Sequence, residues 1–137
     1  MDIPGFTAIR VARDPKTNGM QRGRVLILFF NQRWVSPRNV TVKERVCCPD
    51  IELLSGGSRA FYAPREFPYT VVTVVYIPPK VAPTTACNAI HDAVARIQTQ
   101  HPEAFIVITG DFNHVSLSLC LTGFVQYVDC PKCGDRT

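Results

Sequence analysis

The chemistry most readable in this sequence lies in four consecutive residues, Gly110-Asp111-Phe112-Asn113, which follow the apolar run Phe-Ile-Val-Ile-Thr at 105–109. Ligand sites in α/β sheets collect beyond the carboxyl ends of strands, so a carboxylate and an amide placed there can meet a substrate. Gly110 is expected to let the backbone turn sharply as it leaves the sheet. Asp111 has the chemistry to activate a water or to help hold a divalent cation, and Asn113 can donate to a charged phosphoryl oxygen. Gly, Asp and Asn also end strands for conformational reasons alone, so the four residues take their meaning from what surrounds them.

Residues 69–77 (Tyr-Thr-Val-Val-Thr-Val-Val-Tyr-Ile) are dense in β-branched side chains and predict a strand apolar on both faces. Pro78-Pro79 ends it, because proline cannot donate into the ladder. From about Thr84 the period changes. Ala86, Ile90, Ala93, Val94 and Ile97 fall on one face of a helix that stops before His101-Pro102. Strand, helix and strand, with both strands apolar, predict a parallel pair under a right-handed crossover, which brings Tyr76 towards Asp111.

Upstream, residues 24–30 predict a buried strand and residues 40–46 a half-exposed one. Residues 51–54 form a short apolar stretch stopped by Gly56-Gly57. With no helical pattern between them, these segments suggest an antiparallel meander. Residues 124–128 are a candidate for one more strand. Residues 1–23, with Asp14-Pro15-Lys16-Thr17-Asn18-Gly19, are expected to be loop-like or ragged. The expectation is a single domain over 1–137, of layered α/β class, with mixed β-sheets and a helix outside.

A length of 137 residues with 46% apolar and 19% charged residues fits one globular domain and excludes a mainly disordered chain. The apolar runs are strand-sized, far below the roughly 20 residues that cross a bilayer. Met1-Asp2-Ile3-Pro4-Gly5 has neither the basic start nor the apolar stretch of a secretory signal. An intracellular chain, nuclear or cytoplasmic, is expected, with no membrane partner and no small-molecule cofactor. Six cysteines, at 47, 48, 87, 120, 130 and 133, are too sparse for a secreted disulfide scaffold, so reduced thiols are expected. The net charge of +4 is uneven: residues 1–45 hold nine basic residues against three acidic, hence +6, and the remainder six against eight, hence −2. A basic first third can meet a phosphate backbone.

The series Val74-Val75-Tyr76-Ile77-Pro78-Pro79, a helix of about four turns, and Ile106-Val107-Ile108-Thr109-Gly110-Asp111-Phe112-Asn113 resembles the endonuclease/exonuclease/phosphatase superfamily. Within it the chain is most similar to the endonuclease region of fish-type LINE (non-LTR) retrotransposons. That similarity is carried by Asn39-Val40-Thr41-Val42-Lys43-Glu44-Arg45-Val46-Cys47, Pro49-Asp50-Ile51-Glu52-Leu53-Leu54 and Pro64-Arg65-Glu66-Phe67. It continues through Ala95-Arg96-Ile97-Gln98-Thr99-Gln100-His101-Pro102, Gly110-Asp111-Phe112-Asn113-His114 and Gln126-Tyr127-Val128-Asp129-Cys130-Pro131.

The resemblance implies a DNase I-like four-layer α/β sandwich and Mg²⁺-dependent hydrolysis of phosphodiester bonds in DNA, within a polyprotein that also carries a reverse transcriptase domain. By the same resemblance, Asp111 orients or deprotonates the attacking water and contributes to the metal site, Asn113 holds the scissile phosphate and Tyr76 contacts it. The family's metal-binding glutamate belongs upstream of Met1 and its closing Ser-Asp-His downstream of Thr137, while Glu44 and Glu52 lie in other segments. The expectation is a partial domain, inactive alone. The alternatives are a phosphatase of the same superfamily and a non-catalytic, nucleic-acid-binding remnant.

Cys130-Pro-Lys-Cys133 has the spacing of half a zinc site, but Cys47 and Cys48 are adjacent and the three histidines form no ligand pattern, so zinc is not expected. His91 and His101 read as helix-surface and helix-end residues, and His114 as a loop histidine. Trp34, the only tryptophan, and Tyr62 could stack on bases, with packing in the core or a loop the expected role. Arginines at 10–24 could line a DNA groove.

Overall fold

A computed structural model describes residues 3–12, 25–48, 50–62, 65, 68–113, 115–116, 121 and 123–126. The chain is mixed α/β. Strands β1 (Phe6–Ala12) and β2 (Val25–Asn31) form an antiparallel pair, and β3 (Val40–Cys48), β4 (Ile51–Ser58), β5 (Thr70–Tyr76) and β6 (Phe105–Asp111) form a four-stranded mixed sheet in that order. A 3-10 turn, Pro37–Asn39, precedes β3, and one helix, α1 (Pro83–Gln100), joins β5 to β6.

The meander β3-β4-β5 is antiparallel and β6 joins β5 in parallel, as expected of strands joined by a helical crossover. The face of α1 that the spacing picks out is the buried one: Ala86, Ile90, Ala93, Val94 and Ile97. The first four pack with Ile51, Leu53 and Val75 from the sheet, with Ile77 just past β5, and with Val115 and Leu121. Burying side chains of this size is worth roughly 1.5–3 kcal/mol each, which makes this layer the main source of stability. Arg96 on the outer side of α1 bonds Glu44 of β3 at 2.8 and 2.9 Å, tying the helix to the sheet edge. The hydrogen bond to Glu44 holds this guanidinium above its ordinary pKa, against the lowering effect of partial burial.

On the opposite face lies the β1–β2 pair. Ile9 and Phe30 reach the sheet at Gly56, where an added Cβ would come 2.5 Å from Ile9 Cδ1 and 2.9 Å from Phe30 Cζ. The layers therefore run helix, four-stranded sheet, two-stranded sheet.

Several expectations need correction. Residues 1–23 are not loop-like throughout: 6–12 form β1, whose alternation of Thr7 and Ile9 with Phe6, Ala8 and Arg10 is satisfied by pairing with β2. Residues 13–24 lie outside the described residues. Strand β2 is not buried on both faces, for Phe29 is 38% exposed and packs edge-on against Phe6 on the side away from the larger sheet. Gly56-Gly57 do not stop β4, which continues to Ser58 and is buried along its whole length. There the glycines make room for Ile9 and Phe30, and at Gly57 for the Tyr69 ring. Strand β6 is half-buried to exposed, because it is the edge of the sheet. Residues 124–126 are not a strand, and 127–128 lie outside the described residues. Against the expectation of reduced thiols, Cys87 on α1 is disulfide-bonded, while Cys47 and Cys48 are reduced. Among the described residues no helix is long and apolar enough to cross a membrane.

Candidate functional site

Three strands deliver one row of side chains. Glu52 of β4 pairs with Tyr76 of β5, and Tyr76 pairs with Asp111 of β6. Residues directly opposite one another in a sheet share a face, and Cα atoms two strands apart are separated by about 9–10 Å. The face is that of the β1–β2 pair, because Leu53, Val75 and Ile77, one position along, belong to the α1 core. Across the row the environment opens. Glu52 is 1% exposed, Tyr76 is half-buried, and Asp111 on the edge strand is exposed.

The backbone that carries Asp111 admits little change. Gly110 has φ +142° and stands opposite Val75, where an added Cβ would lie 2.0 Å from the Val75 carbonyl oxygen. The sharp exit expected of Gly110 is not its role. It continues β6, and glycine is required because the neighbouring strand leaves no space for a side chain.

The turn comes three residues later. Asn113 sits at φ +51°, a left-handed conformation that asparagine tolerates better than most residues. Its backbone N–H donates to Asp111 Oδ1 at 3.2 Å, closing a local turn, and its side-chain amide donates to the Ile77 carbonyl. Ile77 N–H in turn donates to the Asp111 carbonyl at 2.9 Å. The carboxyl ends of β5 and β6 are thus laced together, and the lacing orients Asp111. Asn113 therefore has a structural function that the expectation of a phosphate donor did not include.

Of the residues picked out from sequence, Tyr76, Asp111 and Asn113 come together. His114, Cys130 and Cys133 lie outside the described residues. Trp34 and Tyr62 are at the far end of β4, 60% and 88% exposed, so the packing expected of them is not found. His91 is on the helix surface, and His101 ends α1, its ring stacked on Tyr69 at 4.4 Å.

Glu52 was missed as a member of the site. Its signal was present: a single carboxylate inside the apolar run Ile51-Glu52-Leu53-Leu54, where burying a charged group is costly. What sequence could not supply was the register that sets it beside Tyr76. As for a metal, no group of three or more His, Cys, Asp or Glu among the described residues is placed to hold one. Glu52 and Asp111 stand on opposite sides of β5, so they do not by themselves fit a cation site. Comparisons with protein-family models, curated proteins and solved structures find no match to this chain.

Proposed function

We propose that this chain is part of a Mg²⁺-dependent DNA endonuclease domain of the endonuclease/exonuclease/phosphatase kind, as carried by LINE-type retrotransposons, and that it is inactive alone. The observation that carries the reading is the in-register row Glu52, Tyr76 and Asp111 at the carboxyl ends of a parallel strand pair, with Asn113 fastened beside it. A phosphodiester lying over this end would meet the Tyr76 hydroxyl and the Asn113 amide, and the exposed Asp111 carboxylate would orient or deprotonate the attacking water. The layering supports the fold that goes with this function. Helix, four-stranded sheet and two-stranded sheet would be three of the four layers of a DNase I-like sandwich. Exposed Phe6 and Phe29 would mark where the fourth lies.

Because the described carboxylates do not fit a cation site, the inference of inactivity follows from the donor set. The 137-residue chain is expected to leave supercoiled plasmid intact in Mg²⁺. When the chain is expressed within a longer reading frame that supplies the rest of such a domain, nicking is expected, falling by about 10²–10⁴-fold on Asp111→Ala. Nicking by the longer product that is indifferent to Asp111 would overturn the family reading. Asp111-dependent nicking by the 137-residue chain would overturn its inactivity alone.

A further inference from the structure

At the other end of β4 two segments leave the same corner of the sheet. Val40 pairs with Ser58, so the segment before β3 and the segment after β4 start side by side, and the Phe61 N–H donates to the Trp34 carbonyl at 2.8 Å. Between them they present Trp34, Phe61 and Tyr62 at 60%, 55% and 88% exposure. The rings stand on an ordered base. Val35, next to Trp34, is buried, and the Ser36 hydroxyl accepts from the Arg38 N–H to cap the 3-10 turn. Arg33, Arg38 and Arg59 are exposed in the same segments, and among the described residues none of them is in a salt bridge.

We propose that this corner is a docking surface for single-stranded DNA. Three open aromatic rings would fit an apolar protein partner as well as unstacked bases. The charge decides between them: residues 31–40 and 58–62 contain arginines and no acidic residue, which suits a polyanion. Rings that stack bases, with guanidinium groups along the phosphates, are the two components of a single-strand groove. A duplex keeps its bases stacked on one another and offers none to the rings. The proposal commits to DNA, and a strand carrying the ribose 2′-hydroxyl that distinguishes RNA is the competing outcome. It is separate from the Asp111 end: Ser58 and Glu52 are six positions apart on β4, roughly 20 Å. The assignment does not rest on the nuclease reading.

The chain has a single tryptophan, and it lies in this surface, so its fluorescence reports binding directly. The whole chain is titrated at low salt with a dodecamer of deoxythymidine, a dodecamer of uridine and a 12-base-pair duplex. Expected are quenching of Trp34 that is strongest with the deoxythymidine strand, a logarithmic salt slope of about −2 for three phosphate contacts, and affinity about tenfold weaker in Tyr62→Ala. Arg33→Ala with Arg59→Ala should flatten the salt slope. Circular dichroism verifies that each variant is folded, and the arginine pair provides a second reading if Tyr62→Ala is not. Absence of quenching, tighter binding of the uridine strand or of the duplex, or equal affinity in folded Tyr62→Ala and wild type would overturn the proposal.

Discussion

The two ends of β4 are built on opposite plans. At the Glu52 end, side chains are placed by strand register, and the backbones approach so closely that Gly110 has no room for a Cβ. At the Ser58 end, Trp34, Phe61 and Tyr62 stand on two loops, open to solvent, and little packs against them. One end is specified by the pairing of backbones. The other displays large side chains on segments whose own backbone is anchored by Val35 and by the cap at Ser36. The lesson is that an exposed polar group need not stand on a loop: the closely packed stretch at Gly110 also carries the exposed carboxylate of Asp111.

Substitutions should separate the ends in order of effect. Gly110→Ala places a methyl group against the Val75 carbonyl and is expected to cost about 3 kcal/mol or more, read as a fall in the urea midpoint. A wild-type midpoint would show that β5 and β6 can separate locally, and the contrast between the two ends would fail. Asn113→Ala removes the bond to the Ile77 carbonyl and leaves at φ +51° a residue that tolerates it less well than asparagine, for a loss of about 1–3 kcal/mol. Asn113→Gly relieves the backbone but not the bond, and is expected to lie between wild type and alanine. Equal loss in both would assign the whole effect to the hydrogen bond.

Smaller still is Arg96→Ala, at about 0.2–1 kcal/mol, since the Arg96 side chain is half exposed and its pair with Glu44 is open to screening. That loss should shrink as salt rises, and a salt-independent loss would mean that the aliphatic stem, rather than the charge, holds α1 to β3. Smallest is Tyr62→Ala at the open end, expected to change stability by less than about 0.5 kcal/mol because the ring is 88% exposed. A larger loss would show that this end is packed after all.

Much of this architecture was legible in the sequence. The helical face of α1, the strand at 69–77 and the parallel partner at 105–109 follow from spacing and side-chain type, because periodicity reports which face is buried. Legible too were Asp111, Asn113 and the nearness of Tyr76. Strand β1 was masked by the turn formers that follow it, and β4 by two glycines that usually interrupt a strand. Both readings failed for one reason: the partner that makes each segment a strand lies elsewhere in the chain.

By itself, the sequence determined the order of β5, α1 and β6 and the chemistry of the residues that end them, since these depend on local pattern and residue type. Tertiary structure alone decided that Glu52 joins Tyr76 and Asp111, that Gly110 must be glycine, and that Trp34, Phe61 and Tyr62 share one open corner. Each of these depends on which backbone lies next to which. Strand register is set by the packing of whole faces, so a carboxylate in one segment acquires its neighbours only when the sheet has formed.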